Sequence, residues 1–312
     1  MPKESFEQPI KREEPPIEEM KEKLDKAKKM VEGVKERWKD KIEKFEMVEK
    51  SVKELKKLWK ENEEEMRKQR YNSRASFFFF SSLPLPEVPP SFLERISNFL
   101  GRISNRFLKE FDWEKFEGRD NLGADLGLFI SAFLNKNIEN YISSQKKKGI
   151  KEGQIKPIKV HLDVKGLPVR LDFLGYQNPK KLHLIIEGDC GRSVGAEMQG
   201  GKLIVKGDCE DLTGTRMQGG KLIVEGNCRD RTGKHMQGGE LVIKENCGNL
   251  TGPVMRGGKL ILNGKVKSFH SFAFTPDNQG TIVWRDIKIW EKDKFTKEGR
   301  EMKKRGEIPI ED

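Results

Sequence analysis

The stretch from Leu182 to Gly264 decides the fold. It reads LHLIIEGDCGRSVGAEMQGG (182–201), KLIVKGDCEDLTGTRMQGG (202–220), KLIVEGNCRDRTGKHMQGG (221–239), ELVIKENCGNLTGPVMRGG (240–258) and a closing KLILNG (259–264). The units recur with a period of 19 and no insertions. Gly195, Gly214, Gly233 and Gly252 form one column, and Gly200, Gly219, Gly238 and Gly257 form a second. Gly201, Gly220, Gly239 and Gly258 follow directly as a third. Met198, Met217, Met236 and Met255 form another, and so do Cys190, Cys209, Cys228 and Cys247, which are all the cysteines of the chain.

This period is too short for paired-helix repeats and lacks the leucine-rich signature. It predicts a right-handed, single-stranded parallel β-helix, each turn giving a strand of about five residues and then cornering at glycines. Equivalent residues stack about 4.8 Å apart, so columns become ladders. Three neighbouring ladders are apolar: Leu184 to Leu260, Ile185 to Ile261 and Ile186 to Leu262. Side chains alternate across a strand, so one of them, the Ile185 ladder, must face outward. The 91–142 helices are expected to cover most of it, with a docking surface as the alternative. At the lower end, Val160 to Val164 and Val169 to Phe173 read as a closing hairpin. At the upper end Val266 stands where cysteine is due and the strand Thr281 to Trp284 arrives late, as in a capping rung.

The repeated GDC-x5-G-x2-MQGGKLIV pattern over about 160–290 resembles the GXGXG glycine-repeat β-helix domain. That domain forms the C-terminal part of the glutamate synthase large subunit and recurs in formylmethanofuran dehydrogenase. The resemblance implies an architectural part, one that supports catalytic domains lying elsewhere. It implies an oxidoreductase-associated scaffold, possessing no cofactor, rather than an enzyme in its own right.

Residues 17–66 keep a 3-4 apolar spacing, with Leu24, Val31, Trp38, Phe45, Val52 and Trp59 on one seam. This pattern predicts an α-helical N-terminal half with a long coiled coil and homo-oligomerisation through it. The alternative is one helix folded back on its own domain. The expected organisation is a disordered tail (1–16), the coiled-coil helix (17–70), a Phe/Pro-rich connector (71–90) and a helical layer (91–157). The β-helix with capping strands (158–290) and a charged tail (291–312) complete it. Phe77 to Phe80 are expected to anchor the connector, and Gly123 and Gly127 to mark close helix packing.

The four cysteines lie in a line, whereas metal ligands converge on a point, so they are expected as a buried core column with no metal. Disulfides between neighbouring rungs, Cys190 with Cys209 and Cys228 with Cys247, are the alternative. Gly191-Arg192-Ser193-Val194-Gly195 matches the G-x-S-x-G nucleophile-elbow string, which makes Ser193 the one catalytic candidate. Its column continues as Leu212, Arg231 and Leu250, and His161, His183, His235 and His270 show no metal-ligand spacing. The column Asp189, Asp208, Asn227 and Asn246 reads as turn residues bonding to backbone.

The 312 residues are 36% charged and 35% hydrophobic, with a net charge of +11. The charge is diffuse, with a local cluster only at Lys146, Lys147, Lys148 and Lys151. Nucleic acid is therefore a weak expectation, kept as an adaptor reading of that cluster. No apolar run is long enough for a membrane span, and the polar N-terminus suggests a cytoplasmic protein. The reading that results is a non-catalytic, self-associating scaffold with a redox or amidotransferase-type enzyme as partner.

Overall fold

The computed structural model describes residues 17–68, 73–95, 98–116 and 121–311. The tail expected over 1–16 lies outside them. The chain divides into two units, 1–49 and 50–312. In the first, the described residues belong to helix α1 (Ile17–Lys68), where Met30, Ile42 and Phe45 are exposed. The seam side chains of Leu24, Val31 and Trp38 lie outside the described set.

The second unit begins at Lys50. Val52, Leu55, Leu58 and Trp59 of α1 are buried there. Trp59 meets Phe80, Phe111 and Phe129 at ring separations of 6.5, 5.4 and 5.4 Å. Two residues of the predicted oligomer seam, Val52 and Trp59, thus serve the chain's own core. Leu58 lies off the 3-4 seam, so the buried stripe is the broader one of a helix packed on a globular core. Helices α2 (Ser73–Ser82), α3 (Pro90–Arg95), α4 (Phe99–Lys109) and α5 (Leu122–Lys147) follow. The Phe run is helical, unlike an extended connector: Phe77 and Phe80 are buried, one turn apart, while Phe78 points outward. The extended segment is confined to the prolines after Ser82, where Asn137 holds the backbone at Pro86 and Val88.

The C-terminal part is a β-solenoid. Strands β1 (Ile158–Asp163), β2 (Leu182–Glu187), β3 (Lys202–Val205), β4 (Lys221–Val224), β5 (Glu240–Ile243) and β6 (Lys259–Leu262) pair parallel in chain order. Leu203 pairs with Leu222, Leu222 with Leu241, and Leu241 with Leu260. The Leu184 and Ile186 ladders are buried, as are the Cys and Met columns. A further column, Thr213, Thr232 and Thr251, is fully buried, each hydroxyl donating to a carbonyl three residues back. The coil is thus filled by ladders only one side chain deep, which fits the low hydrophobic fraction of the sequence.

The 158–175 segment is not a hairpin. Ile158 to Asp163 pair parallel with Leu182 to Glu187, forming the first rung. Val169 to Phe173 lead into its corner, where Phe173, Gly175 and Gln177 have φ of 56, 71 and 50°. Ser193, Gly195 and Glu197 repeat that geometry one rung on, with φ of 57, 65 and 53°. Val169, Leu171 and Phe173 alternate with Arg170 and Asp172 on the way into this corner, which gives the same period-two apolar pattern as a strand. The left-handed positions also take Leu212, Arg231 and Leu250, and Arg216, His235 and Val254, each at a steric cost of about 1 kcal/mol or more.

Both ends of the stack are closed. Asn98 Oδ1 accepts from the His161 N–H at 2.6 Å, and Asn105 donates to the His161 carbonyl and accepts from the Asp163 N–H. These two asparagines give the open edge of β1 the partners a further strand would supply. Helix α5 lies on the first corner: Gly123 and Gly127 face the carbonyls of Arg170 and Asp172 so closely that a Cβ would collide. Ser131 and Asn135 donate to the carbonyls of Phe173 and Tyr176.

At the other end β7 (Phe269–His270) precedes β8 (Thr281–Trp284), which pairs parallel with β6, then β9 (Ile287–Glu291) and β10 (Lys294–Phe295) turn antiparallel. Phe269, Phe274, Trp284, Trp290 and Phe295 stack against one another there. The segment expected as a charged tail is folded: α6 (Lys297–Lys304) is capped by Thr296 and buries Met302, and β11 (Ile310–Glu311) pairs with β7. Sparse apolar residues, Met302 and Ile308, suffice to seat it, and its lysines stay outside.

Candidate functional site

The pleat turns every second residue of β2 to β6 outward. Ile185, Ile204, Ile223, Val242 and Ile261 are half-buried, while their neighbours on both sides are buried. They form a continuous aliphatic stripe, extended by Val283 of β8. Lys202, Lys221, Glu240 and Lys259 line one side of it, and Glu187, Lys206, Glu225 and Lys244 the other. Lys206 pairs with Glu187 at 2.6 Å, Lys244 with Glu225 at 2.8 Å and Lys221 with Glu240 at 2.5 Å. The Lys206 ammonium holds the Glu187 carboxyl below its ordinary range. Such exposed pairs add little stability. The helices expected to cover the stripe lie elsewhere: α4 packs on β1 and α5 on the first corner. The outward placement was legible from the pleat, whereas the helix address was not.

Beside this sheet runs the cysteine column. Cys190, Cys209, Cys228 and Cys247 are free thiols, 0, 2, 4 and 5% exposed. Cys209 bridges to Cys228, Cys228 to Cys247 and Cys247 to Val266, all in parallel register. Val266 therefore continues the column as its position in the sequence suggests. The Cys209 thiol is pushed well above its ordinary value by its hydrogen bond with Cys190 and by burial. Burial, and then the hydrogen bond with Cys209, does the same for Cys228. The raised values make Cys209 and Cys228 poor nucleophiles.

The Asx column bonds to the backbone of the next rung, not within its own turn. The Asp189 carboxylate accepts from the Asp208 N–H, Asp208 from the Asn227 N–H, Asn227 from the Asn246 N–H and Asn246 from the Lys265 N–H, at 2.7–3.1 Å. A second ladder, Asp211 to Asp230 to Asn249, does the same and escaped the sequence reading.

Ser193 is 3% exposed on a solenoid corner, and the next element in the chain is β3, so the strand-to-helix turn of a nucleophile elbow is missing. Its left-handed φ is shared by Leu212, Arg231 and Leu250 and marks the column, not a catalytic strain. In the basic cluster Lys146 pairs with Glu152 and Lys148 with Glu94 at 3.0 and 3.1 Å, which removes half of its local charge. Among the described residues no three or more His, Cys, Asp or Glu side chains converge to hold a metal ion, and no helix is long and apolar enough to cross a membrane. A cleft of about 560 Å³ lies by Glu94, Tyr141, Gln145 and Ile158 at the first-rung end, and Ser193 is not among its lining residues.

No protein-family model, curated protein or solved structure matches the chain.

Proposed function

We propose that the chain is a non-catalytic scaffold or assembly subunit whose working surface is the outer face of β2 to β6. The observation that carries this reading is the aliphatic stripe Ile185 to Ile261, left half-exposed although the chain has apolar helices at hand. Contiguous apolar surface rimmed by polar residues marks an interaction site, and a protein partner is the occupant this reading assigns to it. The solenoid is read as a right-handed, single-stranded β-helix of 19-residue rungs of the GXGXG type, with a redox or amidotransferase-type enzyme as the partner. Self-association is assigned to the N-terminal part of α1, where Phe45 is exposed.

Two measurements test the reading. The full chain, isolated with its bound proteins from its own cells, is compared with an Ile204→Lys/Ile223→Lys variant of equal thermal stability. Loss of one stoichiometric enzyme partner in the variant is the expected result, and an unchanged set of partners refutes the stripe as the contact. For self-association, light scattering compares the full chain with residues 50–312, a cut that spares the buried Val52 and Trp59. A larger full-length oligomer is expected, and equal masses refute the coiled coil.

A further inference from the structure

Three strands of the solenoid carry opposite charges at, or just past, the two ends of their outer face. In β1 these are Lys159 and Asp163, in β4 Lys221 and Glu225, and in β5, in reversed order, Glu240 and Lys244. The parallel register and the pleat put all of them on the face that bears the aliphatic stripe. A twofold axis parallel to the stack, laid between two such faces, sets each strand against the same strand of a second copy running the other way. The first charged end then meets the last. Lys159 meets Asp163 of the second copy, Lys221 meets Glu225 and Glu240 meets Lys244, each twice over. The reversal in β5 does not disturb this, because the match is made within a strand and not along a rail. Along the middle of the face each aliphatic side chain from Ile185 to Ile261 meets its own counterpart. Only β3 brings like charges together, Lys202 against Lys206, and Lys206 has Glu187 at 2.6 Å to offset it. The other way of laying the faces together, a twofold axis along the strands between β4 and β5, matches the charges of those two strands alone.

We infer that, while no enzyme partner is bound, the stripe face is covered by the same face of a second copy of this chain, rung against rung. This rests on the reading of that face as the working contact surface, and it is a contact separate from the one assigned to α1. Rungs about 4.8 Å apart from β2 to β6 and β8, with strands about 16 Å long, present about 400 Å² per copy. A lasting complex buries about 800 Å² on each side. The pairing is therefore transient. It shields the aliphatic side chains in the free protein and gives way to a partner that makes the larger contact.

The test is cross-linking of the full chain through single introduced cysteines, which captures a transient pair. All four native thiols are buried, so the introduced one is the reactive one. Ile185→Cys and Ile261→Cys stand four rungs apart, about 19 Å, and a bis-maleimide too short to bridge that distance is used. Each variant alone should give a linked dimer, and a mixture of the two, one of them isotope-labelled, should give no mixed dimer. Mixed links as frequent as self-links, or no links from either variant, overturn the inference. A second chain on the Ile261→Cys background exchanges the charges: Lys221→Glu, Glu225→Lys, Glu240→Lys and Lys244→Glu. The exchange preserves the pairs within the chain, 221 with 240 and 225 with 244, and the match to its own copy. It should link to itself as the Ile261→Cys chain does, while links between exchanged and unexchanged chains fall about tenfold, four matched pairs having become like-charged. Equal linking in that mixture overturns the charge match. Loss of the enzyme partner in the Ile204→Lys/Ile223→Lys variant, with no self-link in either cysteine variant, leaves the contact surface standing and removes the second copy from it.

Discussion

Substitution of Gly219 by alanine tests whether the glycine columns hold the rungs at their spacing. Gly219 does not have a positive φ, so its replacement carries no left-handed penalty. A Cβ there would stand 2.8 Å from the Gln199 carbonyl oxygen of the preceding rung. That oxygen belongs to backbone and cannot swing away, so the rungs must part locally by a few tenths of an ångström. Three bonds cross at this corner: Gln218 and Gly219 N–H to the Met198 carbonyl at 2.9 and 3.1 Å, and Lys221 N–H to Gly201 at 3.1 Å. Overpacking costs about 1–3 kcal/mol, and weakening one or two of these bonds adds about 1 kcal/mol. The expected destabilisation is about 2–4 kcal/mol, read as a lowered urea midpoint at unchanged slope. Gly153→Ala is the control, since nothing lies within 4 Å of its added Cβ, and it should change stability by less than about 1 kcal/mol. A Gly219→Ala chain within 0.5 kcal/mol of the original, on the order of ordinary surface changes, would refute the close approach of rungs as the reason for this column.

Asn105→Ala removes both of its bonds to β1 and should cost about 1–2 kcal/mol while raising concentration-dependent association through the opened edge; light scattering reads the second effect. Leu222→Lys should abolish the native circular dichroism, whereas Ile223→Lys, one residue on but facing outward, should shift stability by no more than about 1 kcal/mol. Burial raises the Asp172 carboxyl above its ordinary value, against the Arg192 N–H that it accepts. Its contribution to stability is therefore full below the unfolded value of 3.8 and lost as pH rises through the folded one. Asp172→Asn should raise the melting temperature at pH 7 and leave it unchanged at pH 3; a gain of the same size at both refutes burial of the charge as the cause.

The elements differ in how far the sequence discloses them. Rungs β2 to β6 were readable because each carries the same residues at the same step, so that Leu, Cys and Met must lie above their counterparts. The non-glycine left-handed corners were not: Leu212, Arg216, Val254 and their equivalents bear no residue-level mark of positive φ. The first rung was hidden for a related reason, since Val169, Leu171 and Phe173 alternate with polar residues into a corner as a strand would. In the candidate site, the outward stripe followed from the pleat, and the thiol column from the count of cysteines per repeat.

By itself the sequence determined the repeat, its parallel stacking, its glycine corners and the stripe that had to face outward, because a fixed step along the chain translates directly into position along a ladder. Only the tertiary structure decided what meets what. A helix's apolar spacing specifies that it will be buried but not against which surface. Here α4 and α5 went to the end of the stack, where the unpaired backbone of β1 and the first corner needed Asn98, Asn105, Ser131 and Asn135 as partners. The same competition drew Val52 and Trp59 from the seam of α1 into the core and left the face of β2 to β6 open. Bare hydrogen-bonding groups at an edge cost more to leave unmet than half-covered aliphatic side chains on a face, and that difference set where the helices lie.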